Sequence, residues 1–245
     1  MRIAVGDRDN LPDKEAGKAA ARKDVDAFLD QLARTPPRAA GQGRGRLLFA
    51  MDATASRQPT WDRAARLQGE MFQAAAALGG LDVQLAFFRG FGEFQVSKWT
   101  GDGEGMARLM AKVSCLAGET QIGKVLQHAI NETGRARINA LVYVGDACEE
   151  DVDALGKRAG ELGLLGVPAF MFHEGGDSVA AFAFQQVARL TGGAYCAFDA
   201  ASADTLRELL SAVAVFAAGG RKALADHAAG RGGAVLRIAH QMSGK

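Results

Sequence analysis

The chain has 245 residues, 48% hydrophobic and 23% charged, with a formal net charge of +1, a balance that excludes intrinsic disorder and collagen-like structure. Its longest apolar runs, such as 74–78 and 213–218, fall far short of the roughly 20 residues needed to cross a bilayer, and residues 1–15 carry charges where a secretion leader needs a continuous apolar stretch. The net charge hides a division: residues 47–218 carry 14 Lys/Arg against 20 Asp/Glu, while both flanks are basic, so the body has the wrong sign for a nucleic-acid footprint. A cytoplasmic protein that binds neither membrane nor nucleic acid is expected. Cys115, Cys148 and Cys196 are odd in number and outside any CxxC arrangement, so reduced thiols are expected and neither a disulfide framework nor a zinc site.

Residues 14–33 carry a thin apolar stripe, Val25, Phe28, Leu29 and Leu32, at helical spacing, and RTPPRAAGQGRGR follows with a linker's composition. Residues 1–44 are therefore expected to be a helical arm and linker. From 45 to 218 short apolar runs alternate with longer helical stretches, the pattern of a parallel sheet with crossover helices. The runs are 46–51, 83–89, 93–99, 139–145, 167–172 and 194–198. Helices are expected near 60–79, 103–115, 121–134, 150–164, 178–191 and 203–218. The second and third runs are separated only by a few residues containing Gly90 and Gly92, so they form an antiparallel hairpin at a sheet edge. The expectation is an α/β fold: a doubly wound, Rossmann-like, mostly parallel six-stranded sheet with one antiparallel edge strand and helices on both faces. Residues 219–245 form a Gly-rich C-terminal tail.

In an open parallel sheet functional groups gather where strands end at their carboxyl termini. Asp52-Ala53-Thr54-Ala55-Ser56 follows the first run, Gly145-Asp146 ends the fourth, and Glu119-Thr120-Gln121-Ile122-Gly123 opens the helix before it. Alternation lets residues 52, 54 and 56 project to one side while Ala53 and Ala55 leave room. Two carboxylates and three hydroxyls from three loops suit octahedral Mg²⁺, which takes hard oxygen donors and keeps several waters.

Asp-x-Thr-x-Ser, then Gly-x-Thr-x-Ile-Gly at 118–123, then Gly145-Asp146, in this order after apolar strands, resembles the von Willebrand factor A (VWA) domain and its metal-ion-dependent adhesion site (MIDAS). The resemblance spans about 45–218 and is to members of the bacterial intracellular type. It implies direct hydroxyl ligation of Mg²⁺ or Mn²⁺ by Thr54 and Ser56, a direct or water-mediated contact from Thr120, and waters held by Asp52 and Asp146. It also implies a non-catalytic interaction or scaffold subunit, with a partner protein's Asp or Glu completing the metal shell, as in members that work beside ATPase complexes. The family has Ser where this chain has Thr54, whose methyl group adds bulk against the ion.

Two other readings stand beside this one. In a haloacid-dehalogenase-like phosphohydrolase Asp52 would be the nucleophile and Asp146, Glu149, Glu150 and Asp151 the acidic metal loop; this needs a lysine near Asp52, for which Lys112, Lys124 and Lys157 are the candidates. A metal-independent scaffold with a degenerate site would use only the fold and its flanks; separately, each motif taken alone reads as helix capping, by Ser56, Thr60, Thr120 and Asp146. Glu149, Glu150, Asp151 and Asp153 read first as acids favoured at a helix N-terminus, and alternatively as the rim of a site. His173 is the one histidine beside a strand end, and Phe91, at the hairpin turn, is the aromatic residue placed to meet a partner.

Overall fold

A computed structural model describes residues 44–76, 80–198 and 203–229, with Ala27, Gln31 and Arg34 as isolated helical positions. Most of the expected arm, the linker 35–43 and the tail beyond 229 lie outside the described residues. Six strands follow the alternation of the sequence: β1 (Gly45–Asp52), β2 (Leu81–Arg89), β3 (Glu93–Val96), β4 (Ala140–Gly145), β5 (Ala169–Glu174) and β6 (Ala194–Phe198). They form one sheet in the order β3-β2-β1-β4-β5-β6, parallel except for β3, which runs antiparallel to β2 at the edge.

The helices are α1 (Gln58–Ala76), α2 (Gly103–Met110), α3 (Ile122–Arg135), α4 (Val152–Leu164), α5 (Ser178–Thr191) and α6 (Ala203–Ala229). They divide between the two faces. Leu47, Phe49 and Met51 of β1 point into a core closed by α1, α2 and α6, and Leu48 and Ala50 point into a second core closed by α3, α4 and α5. Burial on both faces is why the central strands read as unbroken apolar runs instead of alternating. Asp52 has the parity of Leu48 and Ala50, so the last residue of β1 turns a carboxylate toward the second core. The chain winds outward from β1 in one direction to β2 and in the other through β4, so strand order reverses between β1 and β4. Asp52 and Asp146 sit at that reversal, where ligands of open α/β sheets bind.

Three elements differ in extent from the sequence expectation. β3 ends at Val96, and Thr100 returns as an isolated antiparallel bridge to Val83. α2 stops at Met110, because the chain after it is recruited as a loop: the Leu116 N–H donates to the Ala53 carbonyl at 3.0 Å and the Cys115 N–H to Gln58 Oε1. α6 runs on to Ala229 through a break at Gly220, whose φ of 72° and ψ of −164° are open to glycine at little cost.

Close packing depends on a few missing side chains. Gly192 ends α5 in the left-handed conformation, and a Cβ at Gly193 would lie 2.0 Å from the Ala169 carbonyl oxygen. Since that neighbour is backbone of β5, it has little room to yield. Gly193→Ala is expected to cost about 2 to 3 kcal/mol, by the usual scale of overpacking, and to lower the midpoint of thermal unfolding by about 5 to 10 °C. An unchanged midpoint in a calorimetric scan would contradict this packing of β6 on β5.

Candidate metal centre

Each of the five candidate residues is delivered by backbone that the sheet edge fixes. Asp52, the end of β1, is 0% exposed; its Oδ1 accepts from the Thr54 N–H at 2.7 Å, and its Oδ2 has no hydrogen-bond partner. Thr54 is extended (φ −70°, ψ 164°) and leads into a short 3₁₀ turn at Ala55–Arg57, with its hydroxyl unused as a cap. The turn brings Ser56 across to β4, where its Oγ donates to Asp146 Oδ2 at 2.8 Å. Asp52, Ser56 and Asp146, up to 94 positions apart in the chain, thus meet at the β1–β4 reversal.

Thr120 stands on the next loop and is tied to the one after Asp146. Its N–H donates to Glu149 Oε2 at 3.0 Å, and its hydroxyl accepts from the Glu149 N–H at 3.2 Å. The loop is held in turn by the hairpin tip: the Glu119 N–H donates to the Gly90 carbonyl at 3.3 Å, and a Cβ on Gly118 would fall 2.1 Å from that same oxygen. Gly118 is therefore the residue that lets the hairpin and the Thr120 loop touch. Thr120 is bonded to Glu149, and none of its hydrogen bonds reaches the other four candidates.

The capping account does not match this bonding. Asp151, whose Oδ1 accepts from the Ala154 N–H at 2.8 Å, caps α4, while Asp146 binds Ser56. At the start of α3, Glu150 reaches back across the loop, accepting from the N–H groups of Ile122 and Gly123 (2.9 Å for the latter). Thus Glu149 and Glu150, which their sequence position assigns to α4, serve the neighbouring loop and helix.

Sequence reasoning missed Arg57. Its side chain is 1% exposed, ion-paired with Glu174 at the end of β5, where Thr60 also donates, and its Nε and Nη2 have no partner. Glu174, half-buried at the carboxyl end of the neighbouring strand, was also not foreseen. His173 beside it is buried, with Nδ1 3.0 Å from the Tyr195 hydroxyl; burial, chiefly, holds its pKa below the ordinary value. His173 lies under the Asp146 loop and away from solvent. A Cβ on Gly145 would meet the Tyr143 hydroxyl at 2.6 Å, which explains a glycine immediately before Asp146.

Burial pushes the Asp52 carboxyl from its ordinary 3.8 up to about 6; the Thr54 hydrogen bonds oppose the shift, Asp146 adds to it and Arg57 reduces it. The same environment raises the Cys115 thiol to about 11, again mainly through burial. The arrangement offers hydroxyl oxygens at the surface above two carboxylates, one of them with a buried, unpartnered oxygen. Such a donor set fits a hard divalent cation bound through hydroxyls and waters. Among the described residues no three His, Cys, Asp or Glu side chains group as a metal site by themselves, so any ion here depends on the hydroxyls.

The six-stranded fold is VWA-like, and solved structures share it. The VWA domain of SpRpn10 matches with a TM-score of 0.53 at 16% identity, covering 68% of this chain and 94% of that one. The pilus adhesin SpaC from Lactobacillus rhamnosus GG, in an open conformation, matches at 0.54 and 11%, covering 76% and 31%. Proximal thread matrix protein 1 from the mussel byssus, with a zinc-occupied MIDAS motif, matches at 0.51 and 13%, covering 70% and 46%. At these identities the likeness is one of fold, and this chain matches less than half of the last two. A scan against protein-family models finds no match, nor does a search of curated proteins.

Because the folded-state pKa of Asp52 is raised, the native state holds more protons than the unfolded chain between about pH 4 and 6, and this contribution is lost as pH rises through 6. Relative to Asp52→Asn, the wild type without metal should therefore lose about 2 to 3 kcal/mol on going from pH 4 to pH 7.5, read as the difference between two urea titration series. Parallel pH profiles would refute it. Arg57→Met strands Glu174 and is expected to cost about 3 kcal/mol, much of it recovered in Arg57→Met/Glu174→Met; the double-mutant cycle by chemical denaturation measures this.

Proposed function

We propose that the domain at 45–218 is a non-catalytic protein-binding module that engages its partner through Mg²⁺ or Mn²⁺. Thr54 and Ser56 would hold the ion by their hydroxyls, Thr120 directly or through water, and Asp52 and Asp146 through coordinated waters. An ion so held would supply an electrophilic centre for an Asp or Glu carboxylate of the partner. Residues 1–44 flank the module as an arm, the module itself runs on through α6, whose Ala223 and Leu224 join the core, and it works in the cytoplasm as an interaction or scaffold subunit, with an ATPase complex as one class of assembly that fits. In support of a non-membrane setting, no helix among the described residues is long and apolar enough to cross a bilayer.

The observation that carries the reading is the unpartnered, fully buried Oδ2 of Asp52, a carboxyl near enough to Asp146, the partner of Ser56, to feel its charge. A buried polar atom without a partner costs free energy, and such atoms persist where something else is bound. The phosphohydrolase reading has less support. A nucleophilic carboxylate must present an oxygen to substrate, whereas Asp52 is fully buried, and its cationic neighbour is Arg57 in place of a lysine. Lys124 bonds the Gly92 carbonyl and Gln121 Oε1 instead.

Titration of Mn²⁺ followed by electron paramagnetic resonance tests the site. One ion per chain is expected, with binding weakened at least tenfold in Ser56→Ala and Asp146→Ala, on the scale of about 1.4 kcal/mol per tenfold. Thr54→Ser is expected to bind more tightly than wild type, because it keeps the hydroxyl and removes the methyl group. No Mn²⁺ binding by a folded wild-type chain would leave the metal-independent scaffold as the standing reading.

A further inference from the structure

The surface around the candidate metal centre has a composition of its own. The hairpin tip places Phe91 with 85% of its surface exposed, beside the Gly118–Thr120 loop that Gly90 supports. Leu116, 45% exposed, stands on the same loop, where its N–H pairs with the Ala53 carbonyl. An aromatic ring and a leucine thus stand on backbone that is hydrogen-bonded to the segments bearing Thr120 and Asp52.

Carboxylates fill the remainder of this rim. Glu119 precedes Thr120; Glu149, Asp151 and Asp153 follow Asp146; Asp177 caps α5 beyond β5. All five are exposed, and none is in an ion pair among the described residues. Of the nearby cations, Arg57 is taken up by Glu174 in the interior and Lys124 by Gly92 and Gln121, while Arg158 lies beside Glu150 and offsets that carboxylate. Acidic residues alone would mark only a solvated helix end, since three of the five also sit at helix starts. What sets them apart is an independent observation among the strand-end loops that carry them, the fully buried and unpartnered Asp52 Oδ2.

Building on the metal-site reading above, we infer that the rim selects a basic protein segment: one Asp or Glu for the ion, an apolar side chain beside it for Phe91 and Leu116, and flanking lysines or arginines. The metal alone accepts any carboxylate, including one in an acidic stretch. The surrounding negative charge repels such a stretch and speeds the approach of a basic one, as complementary potentials do at protein interfaces. Phe91 supplies an exposed aromatic anchor that a partner would desolvate, the kind of residue that carries binding energy.

Three fluorescently labelled peptides of about ten residues test this by anisotropy in Mg²⁺: a leucine–aspartate pair among lysines, the same peptide with asparagine for aspartate, and the leucine–aspartate pair among glutamates. The lysine peptide is expected to bind at least about tenfold more tightly than the glutamate peptide, with the difference shrinking as salt screens it. Glu119→Lys/Asp153→Lys and Phe91→Ser should each weaken the lysine peptide by about tenfold with Mg²⁺ raised to saturation for each protein, and Phe91→Ser should leave Mn²⁺ binding unchanged. Equal binding of the lysine and glutamate peptides, or rim variants that bind the lysine peptide as wild type does, would overturn the inference. Equal binding of the aspartate and asparagine peptides, with the lysine peptide still preferred and Phe91→Ser still weakened, would overturn the metal reading and leave the rim's choice of a basic apolar segment supported.

Discussion

A carboxylate sealed in the interior with one oxygen unanswered is the constraint on which the rest of this molecule turns. Asp52 ends the central strand, its Oδ1 is occupied by the Thr54 N–H, and its Oδ2 is buried without a partner beside the loops that join Ser56 to Asp146. Burial makes the charged form expensive, which is why its pKa rises to about 6. The surrounding protein does not remove this cost; Arg57 reduces it, but that guanidinium is itself committed to Glu174. A divalent cation bound as proposed would answer the same carboxylate more fully, and without it an amide at this position is expected to be better tolerated near neutral pH. Sites built for binding are commonly kept at such expense to stability.

The sheet explains why the expense falls here. Strand order reverses between β1 and β4, so the loops after these strands diverge and leave a crevice in which Asp52, Ser56 and Asp146 converge. The edge hairpin closes one side of that crevice through the contact of Gly90 with Gly118, and α4 and α5 bring their capping aspartates to the other. One arrangement therefore positions both the inner donors and the outer ring of charge.

Much of this was legible in the residues. The central strands could be read because burial on both faces leaves continuous apolar runs, and the hairpin because Gly90 and Gly92 leave no room for a crossover. The meeting of Ser56 with Asp146 followed from the rule that loops at the carboxyl ends of neighbouring strands converge. Other features depend on tertiary contacts that no local pattern encodes. Arg57 reads as a surface arginine at a helix start, and only the 3₁₀ turn at Ala55–Arg57 carries it inward to Glu174. Glu149 and Glu150 read as acids of the helix they precede, whereas the fold lends them to Thr120 and α3 across the loop. The early end of α2 has the same origin, since Cys115 and Leu116 bond Gln58 and Ala53 where the expected helix would have continued to 115.

If the cation answers the buried carboxylate, metal must stabilise the native state by mass action, by about 2.7 kcal/mol at a hundred times the dissociation constant. Thermal unfolding of the wild type and of Asp52→Ala across a Mg²⁺ series measures this most directly. The account predicts a wild-type midpoint that climbs with Mg²⁺ and a variant midpoint that stays flat. Midpoints that ignore Mg²⁺ in both proteins, or that climb equally in both, would contradict it.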